Sequence, residues 1–487
     1  MGSIYENARR VFIYLGEEDF HSSLAMAYLS AIEKREIQFD TPTTPEVLEA
    51  LTLFLARPWF SRIWVLQEVY QAKKAIVLCG TKRVSWDAIQ TLRYLENLRE
   101  SRVKVWPYVT TVKGKKLLKA YQLYALLTET RGCQATDPRD KLFALLPLLA
   151  DASTCGLAAD YALSKTRIFF NVARYLAVTS GLGFLSDVSC DSSITENHDL
   201  PSWVPDWTIP LDRTPLNQIG GRSFWGTGRE GDIEGKWKTA CQDSVHWAKE
   251  SPLDFMPVRD LPYVVSQPHL SVPSLAIGEI ETILPPANLK EKSWKTILRE
   301  WDEVAQHMSL SPVSFEHRFG GMIDDDEIGV LIPSPPRRPI LQALFMELSH
   351  PALSTTLYNI FESMQDFTHS DKGLFDREHD VKYDEWVSRV ERVIHGRRFF
   401  RTKNGFFGVA VGEACEGDSI MILATGPVPY VFRGIDCRHS WLEPIPSVCS
   451  LIGDCYLAGA MTGRFVQNVV AQQKPDAPDF IKLLHIC

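Results

Sequence analysis

A chain of 487 residues with 45% hydrophobic and 23% charged content is long enough for two or three globular domains and too apolar for bulk disorder. Its formal net charge of −8 leaves no overall basic face to meet phosphates, which argues against a nucleic-acid binder. No stretch approaches the roughly 18–20 uninterrupted apolar residues of a membrane span, the start lacks a signal-peptide layout, and the ten cysteines include no C-x-x-C pair, so a cytoplasmic protein with buried thiols is expected.

In chain order, an Arg-rich helix end runs into Val11–Leu15, which ends at Gly16 and reads as a short buried strand. Glu17, Glu18, Asp19 and His21 follow. Consecutive acids after a strand read as a solvated loop or a first helical turn rather than a metal cluster, because they are not spaced to converge. Ser22–Glu36 and Glu46–Ala56 read as helices on either side of the turn-forming Thr41–Pro45.

Arg57–Ala72, RPWFSRIWVLQEVYQA, is the stretch around which the chain is organised. Pro58 suits a helix start, where its missing N–H would be unpaired anyway, and one helix is predicted from Trp59 to about Lys73. Ser61, Trp64 and Glu68 fall at i, i+3 and i+7 and so share a face, while Ile63, Leu66 and Val69 form the core stripe. A carboxylate beside an indole on an apolar helix is partly desolvated, which would raise its pKa and suit it to acid–base or oxocarbenium-stabilising work. Spacing alone favours the plainer reading, that Glu68 pairs with Arg62 or Arg57 or reaches solvent.

Ala75–Cys79 reads as a strand ended by Gly80, and Lys82–Val84 with a Ser85 cap begins the next unit, giving α/β alternation. The basic run Lys113–Lys119 reads as a solvated helix start rather than a phosphate site. In Thr136–Leu149, Asp137 and Pro138 read as N-cap and first helical residue, and Arg139 as a structural fork in preference to an anion ligand. Ser164–Thr179 is a helix that Gly181 stops. Between Leu200 and Pro273 the prolines and the tryptophans at 203, 207, 225, 237 and 247 describe an irregular segment anchored by buried indoles.

Ser274–Leu284 reads as a bent strand or short hairpin, and helices are predicted near 290–308, 340–364 and 382–395. Asp324–Glu327 is an acidic loop without the calcium-loop layout. Arg397–Arg433 switches to β, with Asn404-Gly405 as a hairpin turn, and Val448–Arg464 adds another hairpin-like pair. The segments predicted are therefore 1–150, 151–273 and 274–487. No P-loop, H-E-x-x-H or G-x-S-x-G motif is present.

Four blocks, NARRVFIYLGE, PWFSRIWVLQEV, ATDPRDKLFALLPL and LPSWVPDW, together resemble the fungal heterokaryon incompatibility (HET) domain and the region that commonly follows it. The resemblance implies non-self recognition ending in cell death and a distant kinship to TIR domains. The fold implied is α/β, a TIR-like or flavodoxin-like remnant of a parallel sheet, followed by an α+β region with small β hairpins. In the family the first block is preceded by segments resembling L-S-Y-x-W-G and W-I-D-A-x-C-I-N-Q. Their absence here implies a truncated domain or a misassigned first methionine, and an exposed sheet edge.

In TIR proteins that cleave NAD, the helix carrying the catalytic glutamate resembles S-x-x-W-C-x-x-E-L. The matching residues here are Ser61, Trp64, Val65, Glu68 and Val69, with valines replacing the cysteine and the leucine. Two functions follow from the resemblance. The first is a recognition and cell-death module acting through protein partners or self-association, inactive if the missing part is essential. The second is a NAD glycohydrolase in which Glu68 stabilises the ribosyl cation and Trp64 and Ser61 shape the pocket. NAD would then be a substrate; no cofactor, metal or nucleic acid is implied. A third reading leaves the N-terminal part structural and gives protein binding to the C-terminal half.

Overall fold

The computed structural model describes residues 2–37, 43–94, 120–149, 157–189, 200–218, 269–308, 387–423, 426–434, 449–457 and 481–486. They fall into two units, Met1–Thr179 with Asp206–Pro210, and Ser180–Pro205 with Leu211–Cys487. The basic run at 113–119, the acidic loop at 324–327, the predicted helix at 340–364 and Trp225, Trp237 and Trp247 lie outside the described residues.

The first unit is built on a three-stranded sheet of order β1-β2-β3. Strand β1 (Val11–Tyr14) runs parallel to β2 (Ala75–Cys79), with Val11 opposite Ala75, and β3 (Lys82–Ser85) returns antiparallel. The described sheet is therefore mixed, and the expectation of a TIR-like parallel sheet finds no support in it. Gly80, at φ +54°, makes the tight return that a β-carbon would obstruct against Glu18. Strand β1 is not wholly buried as its apolar run suggests: Val11 and Ile13 face the core while Phe12 and Tyr14 face outward, the alternation of a half-covered edge.

Helix α1 (Gly2–Asn7) precedes β1. Helix α2 (Phe20–Glu33) starts in a reciprocal cap, Asp19 accepting from the Ser22 N–H while the Ser22 hydroxyl accepts from the Asp19 N–H. Helix α3 (Pro45–Leu55) follows and packs against α2, each burying its apolar face, Leu51, Phe54 and Leu55 on α3 and Ala25, Leu29 and Ile32 on α2.

The predicted long helix is broken in two. Helix α4 (Pro58–Ser61) ends at Arg62, which is extended at φ −81° and ψ 136°, and α5 (Val65–Tyr70) begins afresh. The cause is a competing partner: Arg62 forms a parallel bridge to Gln134, whose N–H donates to the Ser61 carbonyl while its carbonyl accepts from the Ile63 N–H. These bonds replace the helical ones at that point. The helices Trp86–Gln90, Ala120–Glu129 and Lys165–Ser180 are further described elements of the unit, and within the Thr136–Leu149 block Asp140–Phe143 is α-helical and Leu146–Leu148 a 3-10 turn. Asp137 and Pro138, expected as N-cap and first helical residue, both lie before the α-helical segment: the N-cap is Arg139, with no side-chain cap, and Asp137 instead accepts from the Arg139 N–H and guanidinium.

The second unit is a closed β-barrel. Strands β4 (Leu270–Ile283), β5 (Arg397–Thr402), β6 (Phe407–Val411), β9 (Cys449–Leu457), β8 (Pro429–Gly434) and β7 (Ser419–Leu423) form a ring that closes by pairing β7 with β4, and β10 (Ile481–Ile486) joins both β4 and β9. Strand β4 bends at two register shifts, one beside Gly278, as a strand shared by several partners must. Its C-terminal half pairs with β5 and its N-terminal half with β10. Of the hairpin-like pair expected over 448–464, Cys449–Leu457 form one strand, β9, continuous through Gly453 with a register shift against β8, and 458–464 lie outside the described residues. Gly405 turns the β5–β6 hairpin at φ +80°. Trp301, on the helix Trp294–Met308, stacks on Phe399.

A charge cluster is buried within this unit. Arg397 on β5 donates to the carboxylate of Asp454 on β9 at 2.7 Å, and both are fully buried. Asp454 also accepts from the Leu216 N–H at 2.7 Å, and Arg213 stands 3.8 Å away while donating to the Val188 carbonyl. Burial pushes the Arg397 guanidinium below its usual value, Asp454 opposes that shift, and Arg213 adds to it. Asp454 is thus the counter-charge for both arginines. Replacing it by alanine (Asp454→Ala) leaves buried guanidiniums without a counter-charge, and urea melts should lose ~3–5 kcal/mol; a loss near zero would show that the carboxylate is dispensable.

Candidate functional site

The broken helix sends its two tryptophans to two different carboxylates. The Trp59 indole N–H donates to Glu68 at 3.2 Å, and the Tyr5 hydroxyl of α1 donates to the same carboxylate. The Trp64 indole N–H donates to Asp140 at 3.1 Å, and the Tyr161 hydroxyl donates to the other oxygen of Asp140 at 2.6 Å. Each carboxylate is therefore held by one indole and one phenol. Such charge-assisted bonds are stronger than neutral ones and fix the direction of both partners.

The aromatic side of the first node continues into the core. Trp59 meets Phe60 and Trp86 edge-on, and Phe54 packs against Phe60. Burial, then the Glu68 charge and its hydrogen bond, push the Tyr5 phenol above its usual value, while Arg62 pulls it back. At the second node Tyr161 packs edge-on against Phe143, and Arg139 lies over its ring at 5.1 Å. Arg139 also donates to the Tyr161 and Leu163 carbonyls and forks onto Asp137, the structural pairing expected of it. Burial and the Asp140 hydrogen bond raise the Tyr161 phenol to about 12.

Arg57 has a separate task. It donates to the Leu15 and Glu17 carbonyls and pairs with Asp19 at 2.7 Å, pinning the loop that follows β1. Gly16, at φ +98°, lies against its guanidinium. Of the alternatives for Glu68, pairing with Arg62, pairing with Arg57 or reaching solvent, the second is not what Arg57 does: it holds the β1–α2 loop.

Ser61, Trp64 and Glu68 do not present one continuous helical face, since the helix is interrupted at Arg62. Ser61 donates to the Pro58 carbonyl at 2.8 Å, Trp64 turns to Asp140, and Trp59 rather than Trp64 is the indole at Glu68. The residues that sequence reasoning missed are Tyr5 and Tyr161, together with the role of Asp140 as acceptor. Spacing could not reveal them, because each lies on a different element from its partner.

An α/β domain whose one aromatic-rich segment is anchored by two indole–carboxylate–phenol nodes, in one chain with a closed β-barrel unit, is the class these features define. Residues 1–68 match the family model described as Heterokaryon incompatibility protein (HET). The chain is also 21% identical over 485 residues to "Heterokaryon incompatibility protein 6, OR allele" of Neurospora crassa, an alignment taking in 86% of this chain and 66% of the Neurospora protein. Residues 1–68 thus resemble the HET family, and the chain spans just under two thirds of the length of the curated relative it matches. No solved structure matches it. The family match takes in Tyr5, Trp59, Trp64 and Glu68, and stops short of Asp140 and Tyr161.

Two measurements test the nodes. Trp59→Phe removes one donor to a half-buried carboxylate and should cost ~1–2 kcal/mol in denaturant melts, with most of that cost absent when Glu68→Ala, which leaves no acceptor, is already in place. Full additivity of the two substitutions would show that the bond contributes nothing. For Tyr161, a folded pKa raised above the unfolded value means that stability is full below pH ~10 and is lost as pH climbs toward ~12. Alkaline thermal melts should fall across that window and fall less in Tyr161→Phe.

Proposed function

We propose that the chain acts in fungal non-self recognition as a heterokaryon incompatibility protein, working in the cytoplasm through protein partners or self-association and ending in cell-death signalling. The observation that carries this reading is the alignment with the Neurospora incompatibility protein, because it extends through 86% of the chain rather than stopping with the HET match at residue 68. The site geometry is in keeping with it. Glu68 and Asp140 each accept from two aromatic donors of the same domain, which suits a module that presents a fixed surface. A distant TIR kinship belongs to the same proposal and rests on the sequence resemblance alone.

NAD cleavage by Glu68, with Trp64 and Ser61 shaping the pocket, draws less support. Glu68 is already engaged by Trp59 and Tyr5, and the polar atoms of Trp64 and Ser61 are directed to Asp140 and Pro58.

The test is to express the chain in a filamentous fungus, fuse that strain with strains differing at incompatibility loci, and score dye uptake in the fused compartments. Death confined to particular pairings, and reduced by Trp64→Ala with Asp140→Ala, is the expected outcome. Indifference of every pairing to the chain would sink the reading. In parallel, purified chain incubated with NAD should release no nicotinamide; release abolished by Glu68→Ala would move the assignment to the enzyme.

A further inference from the structure

The charge cluster buried in the second unit is not balanced. Arg397 and Arg213 both face a single carboxylate, that of Asp454, and all three side chains are buried. Among the described residues no other carboxylate pairs with either arginine, Asp187 of the same unit included. The Asp454 and Thr214 carbonyls accept from the Arg397 guanidinium, and the Val188 carbonyl accepts from Nη2 of Arg213. Carbonyls satisfy N–H groups without cancelling a formal charge. The neighbouring Cys455 thiol is held well above its usual value by burial and by Asp454, so it stays protonated and supplies no charge either. One positive charge is left over.

The surplus lies at Arg213. Its Nη1 is buried without a hydrogen-bond partner, and its Nε, 3.8 Å from the Asp454 carboxylate, is beyond hydrogen-bonding distance. Nε of Arg397 is orphaned as well. A buried donor left unpaired is costly, and a buried charge left uncompensated costs more. The guanidinium is nonetheless built into its place. Val188 holds Nη2 at 2.7 Å, and position 453 on β9 is a glycine, where a β-carbon would stand 3.3 Å from that same nitrogen. A water molecule accepts from orphaned N–H groups but leaves the charge standing, whereas a small anion answers both needs.

We propose that the second unit binds one small monovalent anion at Arg213, beside the Arg397–Asp454 pair. Nη1 and Nε of Arg213 are its donors, as charge-assisted bonds to an anion require. The single surplus positive charge selects a monovalent ion over a divalent one, and the full enclosure of the donors excludes organic phosphates and carboxylates. Chloride has the charge and the size. An ion held by the folded unit and released on unfolding stabilises the fold in proportion to the logarithm of its concentration above the dissociation constant. The site is independent of the incompatibility reading and stands or falls apart from it.

Thermal melts of the full chain at fixed ionic strength, with chloride replacing gluconate, test the proposal, gluconate being too large for an enclosed site. The melting temperature should rise with chloride, by about 3–5 °C per tenfold increase once the site fills. That rise should vanish in Arg213→Met, which keeps a long side chain and removes the charge. Crystals of the unaltered chain grown in bromide should show an anomalous peak within hydrogen-bonding distance of Arg213 Nη1. Melts that do not distinguish chloride from gluconate would overturn the proposal, and so would a chloride response unchanged in Arg213→Met. Should that variant fail to fold, the bromide crystals decide, and the absence of a peak at Arg213 overturns the site.

Discussion

The exchange of main-chain hydrogen bonds between Ser61, Ile63 and Gln134 is the constraint on which the first unit depends. A continuous helix from Trp59 would carry Trp59 and Trp64 at a fixed angle around one axis. By drawing Arg62 into an extended conformation, the Gln134 segment frees the two indoles to serve separate carboxylates. The same exchange ties the central segment to Thr136–Leu149, and Gln67 reinforces it by donating its side-chain amide to the Ala144 carbonyl at 3.0 Å. Lys141 is buried in this region with its ammonium on the Arg131 and Cys133 carbonyls. Two segments separated by seventy-odd residues therefore behave as one structural piece.

That piece explains what the sequence could and could not convey. Strands Ala75–Cys79 and Lys82–Ser85, the cap at Ser85 and the stop at Gly181 follow from β-branched runs, a hydroxyl before a helix and a glycine at positive φ, all of which are local. The break at Arg62 is not local, because nothing between Pro58 and Tyr70 disfavours a helix; the competing bonds come from Gln134. The direction of β3, by contrast, follows from the two-residue connection Gly80–Thr81, too short for anything but an antiparallel return. In the barrel unit, the turn at Asn404-Gly405 was readable from its dipeptide, whereas Gly453 resembled a turn and proved to lie within a strand, where a β-carbon would meet Val411.

The candidate site divides in the same way. The sequence marked Glu68 and the tryptophans as chemically unusual, because a carboxylate among indoles on an apolar segment is costly unless something pairs with it. It could not say which indole, and it offered no hint of Tyr5 or Tyr161. Phenols give no periodic signal, and their hydroxyls become informative only when a fold aims them. The pairing of each carboxylate with one tryptophan and one tyrosine is a property of the three-dimensional arrangement.

The shared role of β4 also sets the entropy cost of closing the barrel. Ile481 of β10 registers with Leu275, and Phe400 of β5 registers with Ile283, so β4 waits for partners more than a hundred residues downstream. Strands β7 and β8 are by contrast joined by a short connection and pair directly. Closing loops of such unequal length carries unequal entropy. The local β7–β8 ladder closes a short loop, while β4 makes pairings of large sequence separation with β5, β7 and β10, so fixing β4 in the ring carries a larger loop-closure entropy.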